Sequence, residues 1–120
     1  MAEILLDTDI FIDHLRGSRA IVKTSMGLAY SVITRTELFA GRATDESVVR
    51  ALLAPMREIV VDRAIAERAG FLRRTMAVLT PDALIAATAL ELGIPLITRN
   101  RRDFERIPDL TLYTPEDLSA

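Results

Sequence analysis

The chain has 120 residues, half of them hydrophobic and 27% charged, a balance that excludes a disordered protein and leads us to expect one domain over residues 1–120. It has no cysteine, which removes disulfides, zinc–thiolate centres and cysteine nucleophiles from consideration. The formal net charge is −2 and the pI about 5.4, unlike a domain that grips duplex nucleic acid through a broad basic face.

Glu3–Leu6 is a short apolar run and reads as a buried first strand. Thr8 is expected to cap a short helix carrying Ile10, Phe11 and Leu15, stopped by Gly17. Leu28–Ile33 reads as a second strand, followed by a helix from Thr34 to about Ala40 that Gly41 ends. Asp45–Leu53 continues as a helix bounded by Pro55, and Ile59-Val60-Val61 is a third strand, with Asp62 as the next N-cap. From Arg63 to Leu79, Ile65, Ala69, Leu72, Met76 and Leu79 recur at steps of four and three, one apolar stripe of a helix. Thr80-Pro81-Asp82 opens another helix with a cap, an N-terminal proline and an acid, and Gly93 closes it. Ile94–Thr98 is a strand, an arginine-rich loop runs to Arg106, and Leu110–Tyr113 is a last short strand. Strands alternating with helices imply an α/β fold, a parallel sheet with helices on both faces. No basic leader precedes the first strand and no apolar run nears the roughly 20 residues that span a bilayer, so a soluble cytoplasmic protein is expected.

Four acids stand where a strand hands over to a loop or helix: Asp7, Glu37, Asp82 and Asp103. In such a sheet the carboxyl ends of the strands share one edge, where sites form. Clustered carboxylates repel, and the usual compensation is a hard divalent cation, Mg²⁺ or Mn²⁺. A metal-dependent phosphodiester hydrolase is the hypothesis this pattern suggests. Each acid also has a local alternative. Asp7 can cap a helix, Thr34-x-x-Glu37 fits a capping box, Asp82 suits a helix N-terminus, and Asp103 reads as a solvated charge among arginines. Asp9, Asp13, Asp62 and Asp109 read as caps or surface charges. His14, the single histidine, has no cysteine or obvious serine partner for a nucleophilic triad. Lys23 is the only lysine among fifteen cations; arginine suits phosphate contacts, and a GC-rich genome gives the same bias.

With these residues in view, the chain resembles PIN-domain ribonucleases, most closely the VapC toxins of type II toxin–antitoxin modules. The resemblance rests on Leu5-Leu6-Asp7-Thr8-Asp9-Ile10-Phe11-Ile12, Thr36-Glu37-Leu38-Phe39-Ala40-Gly41, Pro81-Asp82-Ala83-Leu84-Ile85-Ala86-Ala87-Thr88-Ala89 and Leu96-Ile97-Thr98-Arg99-Asn100-Arg101-Arg102-Asp103-Phe104, in that order. It implies a three-layer sandwich around a parallel sheet of about five strands and an acidic pocket holding Mg²⁺ or Mn²⁺. On the matching positions, Asp7, Glu37 and Asp82 are the core carboxylates, and Asp7 and Asp82 the principal metal ligands. The fourth position falls on Asn100 or Asp103, and Asp9 stands where relatives usually carry asparagine, which adds a charge near the pocket. Thr8, Thr98 and Asn100 complete the shell, and Arg99, Arg101, Arg102 and Arg106 flank this edge and are expected to hold the RNA backbone, unless they are simply a solvated loop. The resemblance further implies an RNA substrate, a homodimer, and a VapB-like antitoxin in an apolar groove that blocks the acidic site.

Other classes meet specific obstacles. A haloacid-dehalogenase-type phosphatase shares Asp7-Thr8-Asp9 but needs a late lysine, and Lys23 lies in the wrong segment. A non-catalytic PIN-like binding module has no use for three intact core acids. A PIN nuclease of RNA maturation is barely separable from a toxin by sequence; the small size favours the toxin, and a neighbouring antitoxin gene would decide.

Overall fold

The computed structural model describes residues 2–118 and contains five parallel strands in one sheet: β1 (Glu3–Leu6), β2 (Gly27–Ser31), β3 (Arg57–Ile59), β4 (Leu96–Ile97) and β5 (Leu112–Tyr113). Their order is β3-β2-β1-β4-β5. From the central β1 the chain steps outward through β2 to β3, then returns to build β4 and β5 on the other side. Strand order therefore reverses between β1 and β4, and a crevice opens at the carboxyl ends of strands at such a switch point.

The helices are α1 (Thr8–Leu15), α2 (Val32–Phe39), α3 (Glu46–Leu53), α4 (Arg63–Met76), α5 (Thr80–Leu92) and α6 (Pro115–Leu118), with a 3-10 turn at Arg101–Asp103. The period-two alternation of strand side chains divides the interior into two layers. Ile4, Leu6, Tyr30 and Ile97 pack with Phe11 of α1, Leu38 of α2 and Val49 and Leu53 of α3. Leu5, Ala29, Ile59 and Leu96 face the other way, onto Ile65, Ala69 and Leu72 of α4 and the alanine-rich face of α5. Phe11 meets Tyr30 edge to face, with ring centroids 5.9 Å apart. The result is the expected α/β architecture, a sheet between two helical layers.

Several boundaries differ from the sequence reading, those of α1, α2, α4 and α5 for capping reasons. Asp7, not Thr8, caps α1, its side chain accepting from the Thr8 N–H. β2 stops at Ser31, whose hydroxyl accepts from the Ile33 N–H, so Val32 and Ile33 belong to α2 and Thr34 lies inside the helix. β3 is displaced two residues towards the amino terminus, leaving Val60 63% exposed. α4 ends at Met76 because Ala77 turns left-handed at φ 56°, and Leu79, 70% exposed, leads into α5 instead of extending the stripe. Thr80 is thus inside α5, and the N-cap position falls to Leu79, whose side chain cannot cap. β4 and β5 are shorter than expected, and α6 has no counterpart in the sequence reading. Asp62 caps α4 and Gly93 closes α5 at φ 64°, as the sequence indicates.

Phe11 has no exposed surface and fills the layer below the end of β1. Phe11→Ala is expected to lower unfolding free energy by about 3–5 kcal/mol, the range for truncating a buried aromatic. Urea unfolding followed by circular dichroism measures it.

Candidate active site

The carboxyl end of β1 delivers Asp7 to the switch point. Its backbone N–H still donates to the Ile97 carbonyl of β4 (3.0 Å), so the residue is fixed as the strand ends. Its side chain is 6% exposed and held by two donors, the Thr8 N–H (2.8 Å) and the Thr98 hydroxyl (2.8 Å). Thr98, just past β4, in turn accepts from the Asn100 N–H at 3.0 Å. The crevice between β1 and β4 is thus closed at its base by one aspartate–threonine pair.

Glu37 arrives from α2. Because Thr34 is inside the helix, no capping box forms at Thr34-x-x-Glu37. Thr34 and Glu37, three apart, share a helix face, and both reach Thr8. The Thr8 hydroxyl donates to Glu37 Oε1 at 2.6 Å and lies 2.9 Å from the Thr34 hydroxyl. With its single proton given to Glu37, Thr8 must accept from Thr34. Two buried threonines thereby fix one oxygen of an exposed glutamate.

Asp82 stands in the first turn of α5, half-buried, and Asp103 lies in the 3-10 turn, where its Oδ2 accepts from the Asn100 side-chain amide at 2.5 Å. Burial raises the Asp82 carboxyl above its ordinary value, and the charges of Asp103, Glu37 and Asp9 add to the shift. Asp82 therefore sits among the other acids.

Asp9 is neither a cap nor a surface charge, which corrects the reading of its local pattern; it adds a charge near Asp7, as the resemblance implies. Half-buried on the first turn of α1, it accepts from the Arg99 N–H at 3.1 Å and lies 3.3 Å from the Thr98 hydroxyl. Its carboxyl is also raised, mainly by burial. A second aspartate two positions after Asp7 is the signal for it, legible once β4 is known to lie alongside. Asp13 is likewise not a bare surface charge, since it pairs with Arg99 Nε at 3.0 Å. Of the arginines expected beside the acids, Arg99 is committed to that pair. Arg101, Arg102 and Arg106 are exposed, and Arg102 and Arg106 line a cavity with Asp82 and Asp103. His14 accepts from the Ile21 N–H through Nδ1, tacking the loop after α1 in place.

Asp7, Asp9, Glu37, Asp82 and Asp103 thus occupy one edge, and among the described residues none of them forms an ion pair. Burial, then Asp9, then Asp82 push the Asp7 carboxyl up from 3.8 to about 7 against the hydrogen bonds that favour its charged form. Among the described residues, no three acidic or histidine side chains are drawn together closely enough to enclose a metal ion. Thr8, Thr98 and Asn100 hold individual carboxylates in place along the edge. An all-oxygen set of unpaired carboxylates, one of them buried, nevertheless fits a hard divalent cation.

A PIN-domain family model matches residues 4–110, and the chain belongs to the PIN-domain family. It is similar to Ribonuclease VapC19 of Mycobacterium tuberculosis (strain ATCC 25618 / H37Rv), 34% identical over 119 residues that cover 88% of this chain and 95% of the relative. Among solved structures, a chain of a toxin–antitoxin complex from Klebsiella pneumoniae superposes with a TM-score of 0.79 at 36% identity, covering 94% of this chain and 98% of that one. A chain of DNA-bound VapBC from Salmonella typhimurium gives a TM-score of 0.82 at 26% identity, covering 95% and 98%.

The raised Asp7 carboxyl makes stability depend on pH. The folded state holds this proton more tightly than the unfolded chain, so the contribution is fully present below about pH 4. It is lost as pH rises through about 7. In chelator, the melting temperature is expected to fall across that window, and Asp7→Asn to flatten the fall. Mg²⁺ or Mn²⁺ at pH 7.5 should restore the parent but not Asp7→Asn. Scanning calorimetry across pH, with and without metal, provides the check.

Proposed function

We propose that this chain is a metal-dependent endoribonuclease and the toxin of a type II toxin–antitoxin pair, with residues 1–120 acting as one nuclease domain in the cytoplasm. The observation that carries the reading is the row of five carboxylates at the switch point, none of them in an ion pair among the described residues. The ribonuclease named among its relatives supports RNA as the substrate, and the toxin–antitoxin complex among its structural neighbours supports an antitoxin partner.

Asp7 and Asp82 would hold Mg²⁺ or Mn²⁺, which supplies charge neutralisation at the phosphate and a water acidic enough to attack near neutral pH. Glu37 receives the proton of the attacking water, since Thr8 pins Oε1 and leaves Oε2 without a hydrogen-bond partner among the described residues. Thr98 orients Asp7. Asp103 is the fourth acid, since only it adds negative charge, and Asn100 positions it, its amide nitrogen donating to the Asp103 carboxylate.

A groove of about 450 Å³ runs from Ile12 and Leu15 of α1 to Leu38 of α2 and Val48 of α3, with Glu37 on its wall. Such an apolar trough suits an amphipathic antitoxin segment, which would cover Glu37 and inhibit cleavage. Partly exposed apolar side chains of this helical layer, including Val48, fit a homodimer whose existence sedimentation can establish.

Asp7→Asn, Glu37→Gln and Asp82→Asn are each expected to reduce RNA cleavage at least a hundredfold with the fold intact. Retention of full activity by Glu37→Gln would remove Glu37 from proton transfer. In a Mg²⁺ titration, Asp103→Asn should raise the concentration for half-maximal cleavage, whereas Asn100→Ala should act mainly on rate; the reverse pattern would make Asn100 the ligand.

A further inference from the structure

An edge of five carboxylates repels a polyanion, so a polynucleotide that crosses it needs cations of the protein on either side. Six arginines are engaged in ion pairs among the described residues: Arg19, Arg35, Arg50, Arg57, Arg68 and Arg99. Four exposed arginines outside that set line two cavities that include members of the acidic row. Arg16 and Arg42 line the groove that contains Glu37, and among the described residues neither makes an ion pair. Arg102 and Arg106 line the cavity that contains Asp82 and Asp103, and they too have no ion-pair partner among the described residues.

Both cavities open onto one acidic set. The Asp82 carboxyl, in the second cavity, feels the charge of Glu37, in the first. The cavities measure about 450 and 320 Å³, each more than ten times the roughly 30 Å³ that a water molecule occupies, so each admits a piece of chain rather than a lone ion or water. Each also has an apolar wall, Ile12 and Leu15 in one and Val78 and Leu79 in the other, against which a base can lie. The guanidinium fork matches phosphate oxygens in pairs.

We infer that the two arginine pairs, Arg16 with Arg42 and Arg102 with Arg106, bracket the acidic row and hold the substrate phosphates on the two sides of the bond to be cut. The inference rests on the ribonuclease reading and gives that site its substrate path: the RNA strand enters by one cavity, crosses the carboxylates and leaves by the other. These arginines are positioning residues and take no part in proton transfer. The same layout makes the antitoxin groove and one arm of the RNA path a single surface, so the two ligands exclude each other.

The test is binding of a fluorescein-labelled 12-nucleotide RNA, followed by anisotropy in Mg²⁺ buffer, with Asp82→Asn as the common background to prevent cleavage. Arg16→Gln/Arg42→Gln and Arg102→Gln/Arg106→Gln are each expected to raise Kd at least tenfold. Each should also make the slope of log affinity against log salt shallower by about 1.4, the value for losing two single-strand phosphate contacts. Arg63→Gln/Arg74→Gln removes the same charge outside both cavities and should stay within twofold. An effect from only one of the site pairs, or an equal loss from the control pair, would overturn the two-sided path. Cleavage is assayed separately on the parent chain. An RNA left intact in both Mg²⁺ and Mn²⁺ would sink the ribonuclease reading, while the binding series still judges the bracket.

Discussion

Mutual repulsion among carboxylates is the constraint around which this fold is arranged. Asp7, Asp9, Glu37, Asp82 and Asp103 share one edge without an ion pair among the described residues, and Asp7 is almost out of contact with water. Such an arrangement works against folding, because desolvation and like charge both penalise the ionised forms. The chain offsets part of this cost with neutral donors. Thr98 and the Thr8 N–H serve Asp7, the Thr8 hydroxyl serves Glu37, and the Asn100 amide serves Asp103. Neutral donors orient a carboxylate but leave its charge in place, as a site that attracts a cation requires.

The two helical layers have different duties towards that edge. The α1–α2–α3 layer supplies Asp9, Glu37 and the threonine relay, and some of its apolar side chains, Ile12, Phe39 and Leu52 among them, are only partly covered. The α4–α5 layer supplies Asp82 at the start of an alanine-rich helix whose small side chains let it pack closely against α4. An acid on each layer, with Asp7 between them at the switch point, means that neither layer alone completes the row. Formation of the acidic edge is thereby coupled to the closure of both cores around β1.

Much of this was legible along the chain. Strand–helix alternation gave the α/β class, Asp62 and Gly93 marked the ends they occupy, and the four acidic segments gave the candidate site with its family resemblance. The absence of cysteine and the near-neutral charge also followed from composition alone. These features are local or additive, and a linear reading is enough for them.

The tertiary structure decided what depends on neighbours distant in sequence. Thr34 and Glu37 form a capping box on paper, but Ser31 takes the cap, and a hydroxyl 26 residues before Thr34 claims both side chains. Asp9 looks like an ordinary first-turn acid until β4 brings Thr98 and the Arg99 N–H to it from 89 and 90 residues away. The stripe from Ile65 to Leu79 continues smoothly in sequence, yet the left-handed turn at Ala77 cuts it and sends Leu79 to solvent. The arginines look alike in sequence, and only ion pairing and cavity walls separate Arg99 from Arg102 and Arg106. Periodicity and caps are set within a few residues, whereas a carboxylate's partners and the burial that shifts its proton affinity are set by which strands lie side by side.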